Sequence, residues 1–458
     1  MSHKPHFLSA ALLLALILAL LSEMPWLSRP VRLLLLQIDT VALLTMLAAS
    51  GPYLDNLSCA VRRGPNPLLG ALLAWCALSA ALTPYRAFAV PELLRLFLCA
   101  GVYFTAAYGL KQTDTLRAAG GVLVLGGGVA LYGIVQFGSG QTLRQGEITS
   151  IFGNHEQFGS FLTLLLPVAL AFALERKSEP KSLLSAQAIA LIMAAALLLT
   201  RTRSAWAGGI VGLLMLSFLA LRYTPVRLTR INKSLIIGPV VLMALAFALL
   251  IGASQIAPLV SKRAASLVHV RDDTSFADRL HRWKSACRMA SEKPIAGWGL
   301  GAFPVIQARW THQGDSPAEA LAHGTGHANL AHNFWAQWGA ETGGVGLALY
   351  VSVIAAFFGV GLAALKTILP GPRRALLIGC LAATAGGVAD AVGAPSYTFP
   401  GVSCLFWLWI GLGVAACRPT DGSAPALPPT TRGFWLSSLG AGVLAALIVL
   451  GVGFAQRP

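Results

Sequence analysis

Along nearly the whole chain, long runs of Leu, Ala, Val, Ile and Phe are broken by short polar stretches. Most runs reach the roughly 20 residues that a helix needs to cross a hydrocarbon core. Thirteen spans are expected, near residues 7–22, 32–50, 67–83, 88–108, 119–138, 156–175, 184–200, 204–221, 234–256, 338–365, 374–392, 401–417 and 433–455. The first is followed by "LLSEMPWLSR", which lacks a small-residue cleavage pattern, so it reads as a span and not as a signal peptide. The pattern predicts an all-α, polytopic transmembrane helical bundle of about 12–13 spans. In domain terms, residues 1–256 hold spans 1–9, residues 257–337 form one long segment outside the membrane, and residues 338–458 hold the C-terminal spans.

Composition agrees with that picture: 56% of residues are apolar and 11% charged, against roughly 25% charged in soluble domains. The net charge of +16 does not point to nucleic acid, because much of it sits in "VRRGP", "ERKSEPKS", "RYTPVRLTRINK" and "LKTILPGPRR", short loops between spans. Retention of positive charge in the cytoplasm predicts an inside N terminus and puts the segment 257–337 on the outer side. With thirteen spans the C terminus is also outside, a parity that one misjudged span near residues 374–455 would reverse. Six cysteines lie in or beside spans and Cys287 stands alone in the external segment, so no disulfide staples that segment internally. The chain shows no internal repeat of the transporter kind.

Candidate chemistry concentrates on the outer side. Residues 257–337 hold nine Lys or Arg, six Asp or Glu and six of the nine histidines, more titratable groups than a solvated loop requires. Within "SFADRLHRWKSACRMASEKPIAGWGLGAF" (275–303), Phe276, Leu280, Trp283 and Cys287 recur at helical spacing. Ser275 is the expected cap, with Asp278 completing a capping box, and Pro294 the stop. Arg279 and Trp283 are one turn apart and share a face with Arg282 nearby, which suits a helix lying on the membrane surface; simple snorkelling of the arginine is the bland alternative. Gly297, Gly299 and Gly301 read as a tight turn, since no strand precedes them and no Lys-Ser or Lys-Thr follows.

A second basic spot is "LLLTRTRSAWAGG" (197–209), where Arg201 and Arg203 sit between two spans on the outer side. The insertion rule does not call for them there; a bound anion, matched by the planar guanidinium fork, or ordinary lipid headgroups would. "AHNFWAQWGAETGGVG" (331–346) places His332 at the mouth of a span, with Asn333 as expected cap and Glu341 two turns on. His155 ends the loop before the sixth span. A zinc site on His323, His327 and His332 is the competing reading, weakened by Gly324 and Gly326, which disfavour the helix that would align the first two.

These stretches, with "TSIFGNHEQFGSFLTLLLPVALA" (149–171), resemble in their order the O-antigen ligase and polymerase superfamily of bacterial membrane glycosyltransferases. By position the family's two arginines correspond to Arg203 and Arg279 and its histidine to His332. Thr202 stands where the family has Ser, Arg201 competes with Arg203, and the family has fewer spans than the thirteen expected here. The resemblance implies transfer of a glycan from undecaprenyl pyrophosphate to an acceptor hydroxyl, either a glycan or a lipid A core, at the periplasmic face of the inner membrane, without nucleotide, cofactor or metal. It implies Arg203, Arg279 and His332 as catalytic groups converging on one diphosphate, flanked by Arg201, Arg282, Trp283, Asn333, Glu341 and His155 as substrate contacts. A protein O-oligosaccharyltransferase would share the donor chemistry. A lipid-linked sugar transporter or flippase would instead need polar groups within the spans, for which Asp39, Arg95 and Asp390 are the candidates.

Overall fold

The computed structural model describes residues 4–22, 64–142, 146–175, 180–223, 274–311 and 330–418, with a few positions at 24, 31–40 and 438–447. Helix accounts for 82% of it and no strand occurs among the described residues, so the all-α expectation holds. The helices are α1 (Lys4–Leu21), α2 (Asn66–Leu82), α3 (Arg86–Phe104, continued by a π-helical turn at Thr105–Gly109), α4 (Gln112–Gly138), α5 (His155–Ala173), α6 (Pro180–Leu199), α7 (Arg203–Tyr223), α8 (Thr274–Glu292), α9 (Phe303–Ile306), α10 (Ala308–Thr311), α11 (Phe334–Leu365), α12 (Pro372–Asp390) and α13 (Pro400–Cys417). Six stretches are long and apolar enough to cross a membrane: Arg86–Gly109, Gln112–Gly138, His155–Ala173, Arg203–Tyr223, Phe334–Leu365 and Pro400–Cys417. Ten of the thirteen expected spans coincide with helices; those near 32–50, 234–256 and 433–455 lie largely outside the described residues.

Two compact units emerge, and neither is continuous in sequence. The first comprises Met1–Leu57, Leu98–Leu267 and Val360–Pro428; the second comprises Ser58–Phe97, Val268–Gly359 and Pro429–Pro458.

The first unit is a bundle centred on α5, which is buried along almost its whole length and packs against α6, α7, α12 and α13. Where lipid and protein interior are equally apolar, helices associate by close backbone approach at small residues. The α7–α12 crossing uses this device: a methyl group on Gly208 would come within 2.7 Å of both the Asp390 Cβ and the Gly386 carbonyl oxygen.

The second unit joins α2, the start of α3, α8, α9, α10 and the N-terminal part of α11. Its core gathers Ala286, Cys287, Met289 and Ala290 from α8 with Phe303, Trp310, Ala331, Ala336 and Ala340. The expected stripe on α8 therefore needs correction. Leu280 is 38% exposed and Trp283 partly exposed, whereas Cys287 is buried as expected, on a face it shares with Ala286, Met289 and Ala290; the side chain of Phe276 lies outside the described residues. The helix begins at Thr274, which puts the backbone of Ser275 inside its first turn.

The span expected at 338–365 is a broken helix. Gly343 carries φ 70° and ψ −176°, which interrupts α11 one turn after Gly339. At the break, the carbonyls of Ala340, Glu341 and Thr342 lose the N–H groups of Gly344, Val345 and Gly346 that a continuous helix would supply. They accept instead from Trp298 N at 3.0 Å, Gly299 N at 2.9 Å and the Trp75 indole Nε1 at 2.9 Å. The released amides are reused as well, Gly344 N donating to the Pro294 carbonyl at 2.7 Å and Val345 N to Ile295 at 3.4 Å. The turn after α8 is thus woven into the break, the condition under which non-helical backbone is tolerated at membrane depth.

Candidate active site

Each unit carries part of the expected site. In the first unit, α6 ends at Leu199 and Arg203 opens α7, leaving Thr200–Thr202 as a tight elbow. The Thr200 hydroxyl holds the Leu197 carbonyl at 2.7 Å, and the Thr202 hydroxyl donates to the His155 carbonyl at 3.1 Å. The elbow and the start of α5 therefore share one end of the bundle. His155 is the first residue of α5, its Nδ1 3.4 Å from Glu147 Oε2, and Asn154 caps the helix by accepting from Glu156 N at 2.7 Å. Arg201 is buried. Beyond Arg203, the Asp390 carboxyl at the end of α12 accepts from the Tyr397 hydroxyl at 3.3 Å, with Ser160 and Ser204 beside it.

In the second unit, α8 carries Arg279, Arg282 and Trp283, all partly exposed. The Trp283 indole N–H donates to the backbone carbonyl of His332 at 3.0 Å. Because Arg279 precedes Trp283 by four residues on one helix face, Arg279 lies one helical turn from the side chain that holds His332. Asn333 caps α11 as expected, its Oδ1 accepting from Ala336 N at 3.0 Å. Glu341 has a different surrounding from the open substrate contact expected of it. It is 4% exposed, and its carboxylate accepts from Gly301 N at 3.0 Å, Phe303 N at 3.3 Å and the Gln337 side-chain amide at 3.2 Å.

Backbone strain marks the same stretches. Among the described residues three non-glycines have positive φ: Ser150 (51°), Arg201 (56°) and His332 (52°). All three fall in the stretches that carry the family resemblance. Left-handed backbone costs a side-chain-bearing residue about 1–2 kcal/mol and persists only where the surroundings enforce it, which is commonest at functional positions. Gly297, Gly299 and Gly301 are left-handed too, so the expected tight turn is present; a side chain on Gly299 would collide with Thr83.

Beside that turn, Trp75, Leu78, Leu82, Thr83, Lys293 and Trp298 border a small open cleft of about 150 Å³, below the roughly 300–1,000 Å³ of small-ligand sites. The Lys293 ammonium lies 3.9 Å from the Trp298 ring centre, a cation–π contact. Sequence reasoning passes over Lys293, Trp75 and Gln337. For Gln337 the available signal was its position four residues before Glu341 in an otherwise apolar run.

The alternative of zinc rests on His323 and His327, which lie outside the described residues, and no cluster of three His, Cys, Asp or Glu suited to a metal occurs among the described residues. Residues 188–351 match a protein-family model described as O-Antigen ligase. A search of curated proteins finds no match. The apolar helices describe a multi-pass membrane protein, and the matched region, about a third of the chain, supports an O-antigen ligase or polymerase type of function.

Proposed function

We propose, from the O-antigen ligase region that this chain carries, that it transfers a glycan from undecaprenyl pyrophosphate to an acceptor hydroxyl, on the periplasmic face of a bacterial inner membrane. The observation that carries this reading is the grip of Trp283 on the His332 backbone one helical turn from Arg279. It brings a group able to take a proton and a group able to bind phosphate into one neighbourhood of one unit.

In this reading His332 accepts the proton of the acceptor hydroxyl. The hydroxyl oxygen forms a bond to the anomeric carbon, the bond from that carbon to the pyrophosphate oxygen breaks, and the diphosphate leaves with the electron pair. A single displacement inverts the anomeric configuration. Guanidinium groups aimed at the leaving oxygens stabilise the developing charge. Arg279 has this role in the second unit; for Arg203 the support is the family resemblance and its place at the strained elbow. Arg201, Arg282 and His155 are proposed as flanking donor contacts. Trp283, Asn333 and Glu341 are proposed to position neighbouring groups. The acceptor is a glycan or a lipid A core, with a protein side chain as the variant that an acceptor panel would reveal. The transport reading gains nothing from Arg95, whose guanidinium is paired with Glu92 of its own helix at 2.7 Å.

The test is glycan release from lipid pyrophosphate by the purified full chain. His332→Ala is expected to lose about 100- to 10,000-fold, the range of a general base, and Arg203→Ala and Arg279→Ala to lose most turnover. A chelator should leave the rate unchanged. Near-normal turnover in all three variants would end the proposal, and chelator sensitivity would revive the zinc reading.

A further inference from the structure

We propose that Gln337 and Glu341 form a buried latch that positions His332, a role additional to the groups that touch substrate. The inference rests on the reading of His332 as the base. Four hydrogen bonds make the latch. Ala331 N donates to Gln337 Oε1 at 3.1 Å, Gln337 Nε2 donates to Glu341 Oε1 at 3.2 Å, and the carboxylate of Glu341 also accepts from Gly301 N and Phe303 N. Both residues are 4% exposed, and their spacing of four residues puts them on one face at the start of α11.

Donor and acceptor chemistry leaves one orientation. A backbone N–H can only donate, so Gln337 must present its oxygen to Ala331, which leaves its nitrogen to donate to the Glu341 carboxyl. The result is a directed chain from the residue before His332 to the turn that follows α8. Trp283 comes from that same helix and holds the His332 carbonyl at 3.0 Å.

His332 needs such holding because its φ is 52°, a conformation a histidine leaves when its neighbours allow it. Three anchors prevent this: Gln337 on Ala331, Trp283 on the His332 carbonyl, and Asn333 committed to capping α11. With the backbone fixed on both sides, the direction of the imidazole is set by two side-chain torsions alone. Catalytic alignment is steep in distance, about 100-fold for a displacement near 1 Å, so loosening one anchor should reduce the chemical step and leave donor binding in place.

The test uses the full chain in lipid nanodiscs and measures kcat and the donor KM for Gln337→Glu, Gln337→Leu, the exchanged pair Gln337→Glu with Glu341→Gln, and His332→Ala. Gln337→Glu sets two carboxylates against each other and is expected to lower kcat about 100-fold, with the donor KM held within about twofold. Gln337→Leu removes the latch without burying a charge and should lower kcat likewise. The exchanged pair restores a working order: the carboxylate introduced at position 337 would accept from Ala331 N, and the amide introduced at position 341 would donate to that carboxylate, rebuilding three of the four bonds. It should regain most of the lost kcat. Full kcat in Gln337→Leu, or an exchanged pair no better than Gln337→Glu, overturns the latch. Loss of activity in His332→Ala alongside normal Gln337→Leu refutes the latch and spares the base, whereas an active His332→Ala refutes both.

Discussion

His332 and Glu341 show how differently two ionisable residues of one short stretch are used. The sequence marks both in the same way, as polar side chains where a span begins. The fold keeps His332 partly exposed and turns Glu341 inward onto amide N–H groups. No local pattern distinguishes the two, because Glu341's partners Gly301 and Phe303 are some forty residues away in sequence. Cys287 is another residue whose state is set by its surroundings. Alone in the external segment by sequence, it packs into the core of the second unit, where burial pushes its thiol up to about 11. At pH 8 only about one part in a thousand would then be thiolate, the reactive form. Iodoacetamide should therefore leave Cys287 unmodified in the folded protein at pH 8 and alkylate it after denaturation, as read by peptide mass spectrometry. Since the thiol's folded value is raised, its contribution favours the fold below about 9 and is lost as pH climbs from 9 towards 11.

Among the elements, α8 and α11 were legible as helices from periodicity, and α8's end before Pro294 followed from elementary stop chemistry. The buried face of α8 keeps Cys287 of the expected stripe but leaves Leu280 exposed, because which face is covered depends on Phe303, Trp310 and Ala331, whose positions are set outside the helix. The break in α11 was hidden more deeply. "ETGGVG" sits in a strongly apolar run, and a glycine pair in such a run is compatible with either a continuous or an interrupted helix. What stabilises the interruption is the turn Pro294–Gly301, which takes over the freed backbone groups. Gly343→Ala is expected to destabilise the protein by about 1–3 kcal/mol, since a side chain there meets both a left-handed backbone and the Ile295 carbonyl. Thermal unfolding in detergent would register this as a lowered midpoint, and an unchanged midpoint would contradict the weave.

For the whole molecule, the distribution of Lys and Arg makes a topological commitment. The loop after α5 is expected in the cytoplasm and the α8 segment on the opposite side. With single cysteines introduced as Lys177→Cys and Lys293→Cys, a membrane-impermeant maleimide applied to right-side-out vesicles should label position 293 directly. Position 177 should label only after permeabilisation; labelling of both from one side would overturn the orientation. By itself the sequence determined the all-helical membrane class, most helix positions, the cap at Asn333, and the family to which residues 188–351 are matched. Those properties are written in short-range patterns: apolar run length, capping chemistry and motif order. Only the tertiary structure decided that α11 is broken, that Trp283 holds His332, and that Glu341 faces inward. Each depends on hydrogen-bonding groups far apart in the chain meeting in the folded unit, a pairing that no local stretch of residues encodes.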